Sequence, residues 1–313
     1  MTTYYVWVLR DKLAVSPMPS LSDIPELAKV FNAVVILIEP HEAMGYIDLY
    51  LERWKSHGVE VYYAPTPDFH PTDLIELYRI VKWIDKIINT GGKVLVHCMG
   101  GIGRSGLVAA SYLLYSGWSP VKTINYIRAL RPGALESLGQ EIMFHDLYQL
   151  LKLVDKSLFD KHLETTIQYS GNKLRHVSKT LQFTIELTDH LGIEDDCRRR
   201  LVIASLYHCL GRGAVDKLYS DNLLDKETYD TLTKYYDKVK DKEALILGLA
   251  HTLDKYFDSR IIVTSSELLS EEIIIYLYYD LNPEDIVDEA NNYLKELFSI
   301  TGLKTRISLQ PYM

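Results

Sequence analysis

Cysteine is scarce in this chain: three residues among 313, at positions 98, 197 and 209, with no repeating spacing. That excludes a disulfide-stapled scaffold and fits a reducing compartment, so the cytoplasm is the expected location. Long apolar runs are missing too. No stretch reaches the roughly 18 residues a membrane-spanning helix needs, and the opening Met-Thr-Thr-Tyr-Tyr-Val-Trp-Val-Leu-Arg10 lacks a secretory-signal layout. Nor is there a cationic excess, since 34 Lys and Arg against 42 Asp and Glu leave a net charge of −8. Nucleic acid and anionic membrane are therefore not expected as main partners. An anionic substrate stays open, because a local cradle can be positive on an acidic protein. The length suffices for two domains, each with its own core.

What is present centres on Lys93 to Gly106, which reads Lys-Val-Leu-Val-His-Cys-Met-Gly-Gly-Ile-Gly-Arg-Ser-Gly. Val94-Leu-Val96 is the apolar run of a buried strand, and Ser105 onward is good helix material. Between them Gly100, Gly101 and Gly103 allow unusual dihedrals, so several backbone N–H groups can point to one place beside a helix N-terminus. That is a cradle for a phosphate dianion, walled by Met99 and Ile102 as well as the glycines. Cys98 lies at its base as a nucleophile, and Arg104 at its rim as a bidentate clamp for phosphate oxygens. Amide dipoles, a helix N-terminus and a guanidinium each favour a thiolate over a thiol. His97 is placed to orient the loop, and Ser105 to donate a hydroxyl to the sulfur. The plainer reading is a buried cysteine after a core strand, with glycines serving packing alone.

Upstream, strands alternate with helices: Tyr4 to Val8, Leu13 to the Pro17 turn, Val34 to Ile38 and Val59 to Ala64 as strands. Ser22 to Phe31, Tyr46 to His57 and Pro71 to Asn89 read as helices. This order predicts an α/β fold with a parallel-dominated sheet flanked by helices and active loops at the strands' C-terminal ends. The strand ending at Ala64 runs into Pro65-Thr-Pro-Asp68-Phe-His70-Pro71, a loop on the same edge as Cys98. Phosphate transfer to sulfur leaves an alkoxide or phenolate that needs a proton, which a carboxylic acid supplies. Asp68 is the expected donor. Asp73 is the alternative acid or a helix cap, and a turn role for Asp68 is the bland reading.

His97-Cys-Met-Gly-Gly-Ile-Gly-Arg104-Ser105-Gly106 resembles the signature loop of cysteine-dependent protein tyrosine phosphatases, most nearly the compact dual-specificity type, over about the first 150 residues. The resemblance implies the tyrosine phosphatase fold and metal-independent phosphomonoester hydrolysis through a phosphocysteine intermediate. Cys98, Arg104, Asp68 and Ser105 would do the chemistry, while His97, Met99, Gly100, Gly101, Ile102, Gly103 and Gln140 line the substrate. Asp68 lies 98 − 68 = 30 residues before Cys98, about where relatives carry their acid. Near Arg128 to Arg131 relatives place glutamines that position a hydrolytic water. This chain has Glu136 and Gln140 there, so one expected Gln is a Glu, and Gln140 either serves or faces solvent. The loop interior carries no lysine, which argues against highly charged lipid headgroups and for a phosphorylated protein as partner.

From about 155 to 313 the chain reads as a mainly α-helical second domain after a phosphatase domain at 1–154. Expected helices are Leu174 to Gly192, Arg198 to Gly211 and Glu243 to Asp254, followed by a strand at 273–279, a helix at 283–298 and a strand at 304–309. The arrangement resembles the HD phosphohydrolase fold, most nearly the C-terminal domain of exopolyphosphatase and guanosine pentaphosphatase proteins. Metal chemistry there depends on an early His, a His-Asp pair and a late Asp. Here His176 and Asp254 suit the outer positions, but the pair reads His208-Cys209, which removes an oxygen ligand a hard ion requires. No metal or other cofactor is expected. Arg198 to Arg200 reads as a solvated helix face, and the domain as a site for homodimerisation or a regulatory partner. Besides the phosphatase, two readings remain: a phosphate-binding adaptor without turnover, and a phosphatase acting on nucleotides or polyphosphate.

Overall fold

The computed structural model describes residues 5–189, 191, 193–269 and 272–312. It divides into two compact units, 1–148 and 149–313. The division falls inside a helix that ends at Leu153.

In the first unit the strands are β1 (Val6–Leu9), β2 (Leu13–Ser16), β3 (Ala33–Ile36), β4 (Glu60–Tyr63) and β5 (Val94–His97), in spatial order β1-β2-β5-β3-β4. Only β1 pairs antiparallel; every other neighbour is parallel. All four residues of β2, β3 and β5 are buried, as apolar strands covered on both faces must be. The edge strands β1 and β4 are half-exposed. The connecting helices are α1 (Ile24–Leu27), α2 (Ile47–Lys55), α3 (Leu74–Asn89), α4 (Gly103–Tyr115), α5 (Pro120–Leu130) and α6 (Leu138–Leu153).

Alternation along β3 sends Val34 and Ile36 to one face, where they pack with Ile24, Leu27, Phe31, Tyr50 and Trp54 from α1, α2 and their flanks. Trp54 is fully buried there, and truncating it to Ala would cost about 3–5 kcal/mol. Helices α3 and α4 pack on β5, and every residue of α4 is buried. The helix expected from Ser22 to Phe31 is shorter, one turn at Ile24–Leu27 with Pro25 in its first turn, followed by hydrogen-bonded turns to Phe31. The first strand begins later than expected, and Tyr4 lies outside the described residues.

Register brings the site together. Ile36 of β3 is level with Tyr63 of β4 and with His97 of β5, and His97 is level with Ser16 of β2. The segments after β3, β4 and β5 therefore leave one edge of the sheet side by side.

The second unit holds α7 (Lys156–Ser170), α8 (Leu174–Asp189), α9 (Asp195–Tyr207), α10 (Arg212–Ser220), α11 (Lys226–Tyr236) and α12 (Lys242–Thr252). Asp155, Asp225 and Asp241 cap α7, α11 and α12 through side-chain oxygens that accept from backbone N–H groups of the first turn. A sheet follows, β6 (Ile261–Leu269), β7 (Glu272–Tyr279) and β8 (Lys304–Pro311), with α13 (Glu284–Thr301) between the parallel β7 and β8. The strand β6 was not expected. Gly192, read as closing the helix from Leu174, lies outside the described residues.

Arg198 to Arg200 is not the solvated face its charge predicts. The Arg198 side chain is 7% exposed and pairs with Asp189 at 3.0 Å. Arg200 pairs with Glu243 at 2.8 Å, while Arg199 is half-exposed. Among the described residues no helix is long and apolar enough to cross a membrane.

Candidate active site

Cys98 follows β5 directly and is buried. The Gly101 N–H donates to its Sγ at 3.2 Å, and the Ser105 hydroxyl lies 3.4 Å from the same sulfur. These contacts depend on Gly101, whose φ is +71° and where a Cβ would sit 2.4 Å from the backbone of Ser16 and Pro17. No side chain fits that approach, so glycine is required there. Arg131 braces the loop from outside, donating from Nε to the Gly101 carbonyl at 3.0 Å and from NH2 to that of Gly100 at 3.2 Å. Met99 is exposed, Ile102 is half-buried, and Gly103 opens α4.

His97 is fully enclosed. Its Nδ1 lies 3.4 Å from the Cys98 carbonyl and its Nε2 3.2 Å from the Tyr50 hydroxyl. Burial pulls its pKa down to about 4, with the Arg104 charge adding to the effect against the Cys98 carbonyl. The ring is thus neutral and acts as a spacer that fixes the loop.

Arg104 is 1% exposed, and its five N–H bonds are nearly all assigned. NH1 donates to Glu42 Oε2 at 2.7 Å and to the Thr66 carbonyl at 2.8 Å. NH2 donates to Glu42 Oε1 at 2.7 Å and meets Asp68 Oδ1 at 3.0 Å. Nε is buried and makes no hydrogen bond. Burial opposes the charge, but the hydrogen bonds that Arg104 donates to Glu42, together with the neighbouring Cys98, more than offset it and raise the guanidinium further. Burial also raises the Glu42 carboxyl, yet its bonds from Arg104 and the Glu39 N–H hold it below the usual carboxylate range. The clamp is a charged pair. Its Nε/NH2 edge presents two parallel donors, the geometry that suits phosphate oxygens.

Asp68 reaches that edge, and its side chain is 54% exposed, so it can leave the guanidinium. Asp73 instead occupies the N-cap position of α3. Phe69, beside Asp68, has a φ of +60°, a conformation non-glycine residues rarely hold. The turn is fastened from α6 and its approach: the Ser137 hydroxyl donates to the Phe69 carbonyl at 2.6 Å, and Gln140 Nε2 to that of His70 at 3.4 Å. Gln140 is buried, not on a solvent face, and its Oε1 accepts from the Glu136 N–H at 3.0 Å. The Glu136 carboxyl accepts from the Gly103 N–H, and burial followed by the Asp68 charge pushes its pKa up.

All the residues expected from the sequence therefore converge on one edge of the sheet, with Gln140 reaching the acid loop rather than the cradle. Sequence reasoning missed Glu42 and gave Arg131 no role. Glu42 follows β3 with no spacing signal linking it to a residue 62 positions on.

Residues 49–149 match the sequence model of the dual specificity phosphatase catalytic domain. Cyclin-dependent kinase inhibitor 3 of Rattus norvegicus is 32% identical over 99 residues, covering 31% of this chain and 47% of that protein. Tyrosine-protein phosphatase CDC14 of Candida albicans is 40% identical over 63 residues, 19% of this chain and 12% of that protein. Among solved structures, Tk-PTP in its active form is 37% identical, with 48% of this chain and 99% of that one covered at a TM-score of 0.45. The chain spans about half the length of the first curated relatives it matches, 46–47%. The second unit lies outside the matched family region. The amino-terminal resemblance to dual-specificity-type cysteine phosphatases, read first from the loop around Cys98, is thus borne out by a matching family domain and by related phosphatases.

Proposed function

We propose that the first unit is a protein phosphatase that hydrolyses phosphomonoesters through a phosphocysteine on Cys98, with Asp68 as general acid and base and no metal in the reaction. Phosphate oxygens sit among the loop N–H groups and on the Nε/NH2 edge of Arg104, which releases Asp68. The sulfur attacks phosphorus; an S–P bond forms as the P–O bond to the leaving group breaks, and Asp68 gives that oxygen its proton. Water then attacks phosphorus and loses a proton to Asp68, the S–P bond breaks, and the Ser105 hydroxyl donates to the departing sulfur. Positive charge for the transition state comes from Arg104 and the loop dipoles.

One observation carries this reading: the only unpartnered N–H of a buried, Glu42-clamped guanidinium lies on the edge that also holds Asp68. A mere phosphate-binding module has no need of an exposed carboxylate there. The exposed Phe69 and Met99, beside the acid and the nucleophile, form an apolar rim suited to a phosphotyrosine ring, and phosphorylated protein is the substrate class proposed.

A panel of phosphotyrosine and phosphoserine peptides, a nucleotide and polyphosphate, run with chelator present, tests it. Turnover of the peptides by wild type and none by Cys98→Ser is the expected result. Turnover retained by Cys98→Ser, or lost on chelation, refutes the mechanism, and hydrolysis of polyphosphate alone refutes the substrate class. Truncation after residue 154 is expected to leave peptide turnover intact, which makes the second unit an accessory body.

A further inference from the structure

Three imidazoles meet inside the second unit. His176 on α8, His208 at the end of α9 and His251 on α12 each bring a ring nitrogen within 4.8 Å of the others. Helices α8, α9 and α12 pack against one another, so the cluster rests on rigid elements. His176 and His208 are buried and His251 half-buried. Phe257 stacks on the His176 ring at 3.9 Å.

The second nitrogen of each ring is already engaged. His176 Nδ1 lies 2.8 Å from Asp254 Oδ2, His208 Nδ1 lies 2.7 Å from the Ser205 carbonyl, and His251 Nδ1 meets the Tyr235 hydroxyl. A carbonyl oxygen and a carboxylate only accept, so the first two rings carry their proton on Nδ1. Their lone pairs then sit on Nε2, and those two atoms are 2.9 Å apart. Two lone pairs at that distance repel unless something positive lies between them, and the Thr180 hydroxyl, 3.4 Å from His208 Nε2, reaches that ring alone. A shared proton would satisfy that pair and leave His251 unused; a metal ion takes all three rings at once.

We propose that His176, His208 and His251 bind one divalent transition-metal ion, zinc in the first instance, with Asp254 as the positioning carboxylate behind His176. Three neutral nitrogens are borderline donors that suit zinc or cobalt and not the oxygen-seeking Mg²⁺ or Ca²⁺. Oxygen partners on the far nitrogens are what such ligands need to hold tautomer and orientation. Asp254 is fully occupied in that task, since its other oxygen accepts from the Ser259 N–H at 3.0 Å. Cys209 stands where a carboxylate ligand after His208 would serve a hard ion. The third ligand comes instead from His251, one turn before Asp254.

Full-length protein is stripped with chelator, reloaded with Zn²⁺ or Co²⁺, and desalted. The expected result is about one ion per chain, falling below about a tenth in His208→Asn and His251→Gln. The unfolding transition of the second unit should rise by about 5–10 °C at a hundredfold excess of ion over Kd, in wild type only. Asp254→Asn, which keeps all three ligands, should weaken binding by about 10–100-fold. If a histidine variant fails to fold, the cobalt spectrum of wild type decides: visible bands without a thiolate charge-transfer band support three imidazoles. A thiolate band would put Cys209 in the ligand set and overturn the assignment. So would no retained ion together with unchanged thermal stability.

Discussion

In the proposed mechanism Glu42 holds Arg104 for the phosphate, and Glu42→Gln isolates its charge. The carboxylate makes two hydrogen bonds of 2.7 Å to Arg104, with the two side chains 10% and 1% exposed. Glutamine keeps one accepting oxygen and aims an amide donor at a guanidinium donor where the second was. A hydrogen bond to a charged group contributes about 1.5–3 kcal/mol net, so losing one, with the charge, costs about 2–3 kcal/mol. At about 1.4 kcal/mol per tenfold, that is a 30- to 150-fold loss. The assay pairs kcat/KM for an aryl phosphate with the inhibition constant of vanadate, and both should worsen by similar factors. Because Glu42 is held ionised by Arg104, the loss should be constant at neutral and mildly acidic pH. Circular dichroism and the melting temperature identify a misfolded variant. A folded Glu42→Gln protein within twofold of wild type in both constants would refute the reasoning.

Three further outcomes are expected. Asp68→Asn should lower kcat by about 10²–10⁴-fold for substrates with poor leaving groups, and far less for an ester whose leaving group needs no proton. Equal losses for both would remove Asp68 as proton donor. His97 is neutral in the folded state down to about pH 4, while the unfolded chain takes up that proton near 6.5. Its contribution is therefore complete above pH 6.5 and fades as pH falls towards 4, by about 3 kcal/mol in all. Denaturant titrations of the first unit should show this acid slope in wild type and a shallower one in His97→Gln, and identical slopes would contradict it. Gly101→Ala should lose most phosphatase turnover, because its Cβ meets immovable backbone at Ser16 and Pro17; wild-type turnover would mean that the approach is softer than the geometry implies.

Much of the first unit is written locally. β5, the loop and α4 are contiguous, so apolar run, glycines and helix pattern all lie between Val94 and Tyr115, and the proposed nucleophile and arginine follow from them. The position of Asp68 beside Arg104 is legible because strand–helix alternation fixes the edge from which its loop leaves. Glu42 was not, since it meets Arg104 only because β3 and β5 are sheet neighbours, which no local pattern encodes. His251 was hidden for the same reason, being gathered to His176 by packing of α8 on α12. Gln140 was undecided because its facing depends on where α6 starts; a start at Leu138 turns it inward. β6 escaped notice because Ser265, Ser266 and Glu267 interrupt its apolar run, and pairing with β7 makes it a strand. Arg198 misled as part of a basic triplet, when its helix buries it against Thr188 and Asp189.

The most direct test of the account is to look for phosphate on the sulfur. Wild-type protein mixed with an aryl phosphate and denatured within the first turnovers should yield a Cys98 peptide heavier by one phosphate, by mass spectrometry. Ser105→Ala, which loses the donor to the departing sulfur at 3.4 Å, should accumulate more of it, and Cys98→Ser none. Full turnover with phosphate trapped on another residue, or on none in the Ser105 variant, would contradict the phosphocysteine and the mechanism built on it.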